Sequence, residues 1–144
     1  MNTRPYQPAG GPPRLMPPDP AIHGAMGEAG IEAMIRDLYD RLHASPIAHL
    51  FSPNREEAIR RSTAFFVGLL GGPPLYHQRY GSPALRARHL PFAIDEAAKE
   101  AWLTCFREVL QEAPQRYGFP RSALPGFEAF LEGFAAWMVN RGPG

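Results

Sequence analysis

The 144-residue sequence has one cysteine, almost no net charge and no long apolar run, and each shortage closes off a class of protein. A lone Cys105 cannot form an internal disulfide, and it rules out a CxxC metal knuckle and the CxxCH motif that attaches a cofactor covalently. Lys and Arg number 15 against 14 Asp and Glu, a formal charge of +1, so no basic field exists to draw nucleic acid or an acidic lipid surface. No stretch approaches the roughly 18 consecutive apolar residues of a membrane helix, and no charged start with an apolar core marks a leader. The expectation is a reduced, cytoplasmic protein with neither a membrane nor a nucleic-acid partner. Also missing are the alternating pattern of strands, a GxSxG elbow, a glycine-rich phosphate loop and an HExxH pair.

Proline is plentiful instead. Seven of the 17 fall in the first twenty residues, beside Gly10-Gly11, a composition that builds neither helix nor sheet. Residues 1–22 therefore read as a flexible tail and 23–144 as one domain, long enough for a real core. Proline pairs without a PxxP array make a weak docking segment. Beyond the tail the pattern is helical. Ile31, Met34, Ile35, Leu38 and Leu42 recur at spacings of three and four, which predicts a helix over 28–43. After Pro53, Ala58, Ile59, Ser62, Phe65, Phe66, Leu69 and Leu70 share one face up to Gly71-Gly72-Pro73, with Ser62 its one polar member. Asp95 suits the N-cap of a helix to Glu112 bearing Ala98, Ala101, Trp102, Cys105, Phe106 and Val109. Ser122 opens a last helix carrying Phe127, Phe130, Leu131, Phe134 and Trp137, closed by Gly142-Pro143. The fold class is all-α, with about five helices of unequal length.

The stretch GSPALRARHLPFAI, residues 81–94, holds one histidine between two prolines. Ser82 as N-cap and Pro83 at the first position start a helix that Pro91 ends near His89. Leu85 and His89 then share a face at the end of barely two turns. Such an imidazole can bind a metal through one nitrogen while the other donates to a carbonyl; spacing alone leaves a capping or core histidine open. No second His, Asp or Glu lies close enough for a zinc site, so only a metal bringing its own equatorial ligands, haem iron, would need one side chain.

The run GGPPLYHQRYGSPALRARHLPFAI followed by AWLTC resembles the truncated haemoglobins of the second group over about residues 24–140. That resemblance implies a two-over-two helical globin fold around haem b, with His89 as the proximal iron ligand. By the same resemblance Tyr39, in LYDRL, matches the distal tyrosine that hydrogen-bonds the gas ligand, and Trp102 the tryptophan whose indole points into the distal pocket. Ala58 falls at the distal gate and leaves it open, Ser62 lies one turn later with a hydroxyl for the ligand or its own helix, and Phe65 and Phe66 line the deep pocket. The loop after Tyr39 is about two residues shorter than the family pattern, which leaves Phe51 or Ser52 to wedge against the haem; the apolar ring of Phe51 covers porphyrin better. Arg61, Arg88 and Tyr76 match contacts to the haem propionates, and Phe92 follows the proximal histidine.

The resemblance also implies partners and function. Diatomic gases (O2, CO, NO) are the ligands, and hydrogen bonds from the distal phenol and indole make their release slow. Enzymatic turnover as a nitric oxide dioxygenase or peroxidase, served by an unidentified reductase, and a haemless interaction module stay open, as does a homodimer. Cys105 reads as an inert core thiol, His43, His49 and His77 as surface residues with His49 nearest the pocket mouth, and His23 as the end of the tail.

Overall fold

Six α-helices and two short 3-10 turns carry the chain in the computed structural model, which describes residues 6–8 and 11–142. No strand occurs among the described residues. Helix α1 spans Ala21–His43, α2 Arg55–Leu69, α3 Leu75–Tyr80, α4 Leu85–His89, α5 Glu96–Tyr117 and α6 Leu124–Met138. Helix α1 packs on α2 and on α5, α5 packs on α6, and the two short helices attach to these, α3 to α2 and α4 to α6.

The periodic stretches form helices for the expected reasons, but their ends move. Helix α1 begins at Ala21, seven residues before the periodicity at Glu28, because a break at Gly27 (φ 72°, ψ 166°) hides the first segment from the pattern. Asp19 Oδ1 accepts from the Ala21 N–H (2.9 Å), Ile22 is fully buried, and the His23 N–H donates to Leu70 O (2.9 Å). His23 thus belongs to a helix, not to the tail. The Gly71-Gly72 pair does more than stop α2. A Cβ on Gly71 (φ 104°) would collide with the Pro20 carbonyl, and one on Gly72 would lie 2.6 Å from the His23 ring. The chain start and the end of α2 cross where only glycine fits.

Helix α3 has no counterpart in the sequence pattern. Six residues are too few for periodicity to register, and Pro73-Pro74 reads as a stop. Helix α4 is shorter than expected. Ser82 is not its N-cap: Ala84 adopts a left-handed conformation (φ 39°), helical geometry starts at Leu85, and the Arg88 guanidinium takes up the carbonyls of Pro83 (2.8 Å) and Ser82 (3.2 Å). Asp95 does cap α5, accepting from the Ala98 N–H (2.8 Å). That helix runs five residues past Glu112 because Ala113 and Tyr117 continue its buried stripe, and Gly118 (φ 75°) ends it. The last helix starts at Leu124, after a 3-10 turn over Arg121–Ala123, and stops at Met138, where the chain turns extended. Pro143 lies outside the described residues.

Phe106, fully buried on α5, ties the layers together. Its ring lies 5.7 Å from Phe66 of α2, 5.7 Å from Phe127 of α6 and 5.3 Å from Trp102 one turn earlier. Burying such a ring contributes about 1.5–3 kcal/mol.

Candidate functional site

Every residue the sequence singled out for a site borders one cavity of about 320 Å³, within the roughly 300–1,000 Å³ usual for cofactor and small-molecule sites. Helices α1, α2, α4, α5 and α6 all contribute to its walls.

On one side stands Tyr39, 8 % exposed, where α1 crosses α2. Its hydroxyl shares a 2.7 Å hydrogen bond with Ser62 Oγ, so the lone polar residue on the α2 stripe is bonded to a tyrosine of another helix and not back to its own. Burial pushes the Tyr39 phenol above its ordinary pKa of 10.0, against a smaller opposite effect of the Ser62 bond, so it stays a neutral hydroxyl. Phe51 follows the 3-10 turn Ala48–Leu50 in extended geometry, edge-on to Tyr39 at 5.8 Å. Ser52 also borders the cavity, but its Oγ accepts from the Asn54 N–H (3.1 Å) at the entry to α2. Ala58, Phe65 and Phe66 add the α2 wall, and Trp102 closes it from α5, packed against Phe106 and Phe134 (6.0 Å).

His89 borders the same cavity from α4. Its Nδ1 is 2.6 Å from Leu85 O. A carbonyl only accepts, so Nδ1 carries the proton and Nε2 keeps its lone pair free. Among the described residues no cluster of three or more His, Cys, Asp or Glu could hold a metal ion, so a metal here must arrive with most of its ligands. A single free imidazole nitrogen, mostly apolar walls and the half-exposed Phe92 ring (44 %) on the lining fit a porphyrin.

Cations edge the cavity. Arg61 pairs with Glu57 (2.9 Å) and lies over the Tyr80 ring (4.4 Å); Arg88, besides its bonds to Ser82 and Pro83, lies 5.7 Å from the Tyr76 ring. Tyr76 is buried beside Tyr80 (5.0 Å) and Phe65 (6.3 Å). Lys99 was missed. It borders the cavity next to Glu96 (2.8 Å) and Glu100 (3.4 Å), and its place three residues before Trp102 on α5 was the available signal. Leu85, Ile94, Phe134 and Met138 also line the wall, all apolar and therefore silent as site residues in the sequence.

None of the other histidines borders the cavity. His49 and His77 are exposed and off the cavity. His43 is not a surface residue: it sits half-buried between the rings of Tyr39 and Phe51, 6.3 Å from each, with Nε2 buried. Cys105 is buried, and burial raises its thiol pKa, which leaves it protonated and inert.

The bacterial-like globin family model matches residues 22–129. Among curated proteins, the group 2 truncated hemoglobin YjbI of Bacillus subtilis is 36% identical over 91 residues, covering 62% of this chain and 69% of that protein. Among solved structures, phosphate-bound Hell's gate globin IV superposes with a TM-score of 0.83 at 33% identity, over 92% of this chain and 82% of that one. The truncated oxygen-avid haemoglobin from Bacillus subtilis gives a TM-score of 0.75 at 32% identity, over 85% and 99% of the two chains.

Proposed function

This chain belongs to the bacterial-like globins as a group II truncated haemoglobin, and from that membership we propose that it holds haem b through His89, binds dioxygen and other diatomic gases, and releases them slowly. The observation that carries the reading is the His89 ring, its Nδ1 held by Leu85 O and its Nε2 free, bordering the same mostly apolar cavity as the Tyr39–Ser62 hydroxyl pair. Haem, when bound, supplies the iron that takes a gas molecule; the rest is work for the chain's own side chains.

Leu85 O fixes the imidazole tautomer and ring orientation, and a proton held on Nδ1 strengthens Nε2 as a ligand. Tyr39 and Trp102 offer O–H and N–H donors to the outer atom of a diatomic ligand. Ala58 leaves the gate beside them open. Arg61, Arg88 and Lys99 suit the carboxylates of a porphyrin in charge and Tyr76 as a hydroxyl donor, Arg88 with N–H groups left over after its backbone bonds. Phe51 and Phe92, both on the cavity wall, would give a bound porphyrin apolar contact. Two donors to one ligand argue for retention over bulk transport, a reading in line with the relative described as oxygen-avid. The single buried thiol suits a reducing compartment, and we assign the protein to the cytoplasm.

Optical spectra of the purified, haem-loaded protein test this. Reduction and then carbon monoxide should each displace a strong Soret band. A protein that takes up no haem, or whose reduced band ignores carbon monoxide, contradicts the reading.

A further inference from the structure

Tyrosines aside, Thr63 and Asn140 are the polar side chains of the buried class among the described residues. Asn140, 1 % exposed, stands two residues beyond the end of α6, outside the cavity wall, and no role in gas binding accounts for it. Its amide is fully engaged with the segment that leaves His89. Nδ2 donates to His89 O (3.1 Å) and to Phe92 O (2.8 Å), while Oδ1 accepts from the Ile94 N–H (3.0 Å). The orientation of the amide is forced, since two carbonyls can only accept and one N–H can only donate. The Asn140 N–H donates to Ile94 O (2.9 Å), and the Arg141 N–H reaches the same oxygen (3.0 Å).

We propose that Asn140 is a positioning residue for His89, a clamp that sets where the imidazole stands in the cavity and how freely it moves. The need follows from α4. A helix of five residues has almost no hydrogen-bond ladder of its own, and Pro91 contributes no N–H to the turn after it. Something outside must hold its end. Asn140 takes the His89 carbonyl itself, and the ring is tied to Leu85 O within the same turn, so a shift of that backbone is passed to the imidazole.

A second tie acts three residues earlier. Arg86 donates through Nη1 to the carbonyls of Trp137 and Val139, through Nη2 to Tyr6 O (2.7 Å), and its guanidinium lies 4.4 Å over the Trp137 ring. The histidine is therefore bracketed between two attachments to residues 137–140. An apolar residue at 140 would take the side-chain partner away from the Ile94 N–H and from the His89 and Phe92 carbonyls at once, which is why a polar side chain is kept at a position only 1 % exposed.

This inference rests on the haem reading, and its test separates the two. The probe is the iron–histidine stretching band in the resonance Raman spectrum of the reduced, gas-free holoprotein. Asn140→Asp keeps the shape but turns oxygen toward two carbonyls; it should displace or split that band and speed haem loss to an excess of a scavenging globin several-fold. Val109→Ala, buried on α5 away from the cavity, should lower the melting temperature and leave the band where it was. An unmoved band in Asn140→Asp, with haem still bound, overturns the clamp. Should that variant not fold, hydrogen exchange in the wild-type protein decides: the Ile94 amide should exchange as slowly as that of Asn140, and exchange at the rate of an exposed loop overturns the proposal. A wild type that takes up no haem refutes the haem reading alone, because the Ile94 exchange still reports on the clamp.

Discussion

Tyr39 and Ser62 share one hydrogen bond, and either hydroxyl can be its donor. When an acceptor enters the cavity, the phenol can turn to it while Ser62 donates to the phenolic oxygen, and hydrogen bonds in such a chain strengthen one another. Tyr39→Phe should therefore speed oxygen release by a factor between about 5 and 100, the equivalent of roughly 1–3 kcal/mol, with Trp102→Phe in the same range and the double variant faster still. Ser62→Ala should have a smaller effect in the same direction, about two- to tenfold. Stopped-flow dissociation measures all of these, and off-rates equal to wild type in both single variants would remove Tyr39 and Trp102 from the distal role. Burial raises the Tyr39 pKa above 10.0, so the donor keeps its proton. Release should accordingly stay flat with pH up to about 10.

At the scale of the helices, the close crossing of the chain start over the end of α2 is the most demanding feature. Gly71→Ala adds a Cβ against the Pro20 carbonyl at a positive φ, and the expected loss is about 1–3 kcal/mol, read as a lower urea midpoint at unchanged slope. Phe106→Ala should cost more, roughly 3–5 kcal/mol, since its ring joins α5 to both α2 and α6. Both positions show what the sequence could and could not disclose. The buried stripes of the long helices were legible because a period of 3.6 is written locally, and Asp95 could be recognised as a cap because its partner is three residues away. The glycine pair read only as a stop, since its real constraint comes from Pro20 and His23, some fifty residues earlier. Helix α3 and the true start of α4 were hidden because elements of five or six residues are set by their neighbours. The residues that gather round the cavity could be picked out through the run around His89 and the resemblance it carries, whereas Asn140 could not: its three amide partners lie 46 to 51 residues back.

Two phenols also join helices across the whole molecule. Tyr39 links α1 to α2, and Tyr117 of α5 donates to the Asp37 carboxylate on α1. Burial first, and for Tyr117 the Asp37 bond after it, raises both pKa values above 10.0. A group raised in the folded state contributes stability that is complete below the unfolded value and is lost as pH climbs through the folded one. The melting temperature should therefore fall as pH rises above about 10, and Tyr117→Phe should make that fall shallower; an equally steep fall in the variant would contradict the assignment.

All of this surrounds the one imidazole nitrogen that we propose as the iron ligand. The most direct measurement replaces His89 by glycine and records the Soret band of haem-loaded protein with and without free imidazole. The account predicts weak or altered haem binding in His89→Gly and recovery of the wild-type band when imidazole fills the space. A variant whose spectrum matches wild type with no imidazole present would show that another group holds the iron.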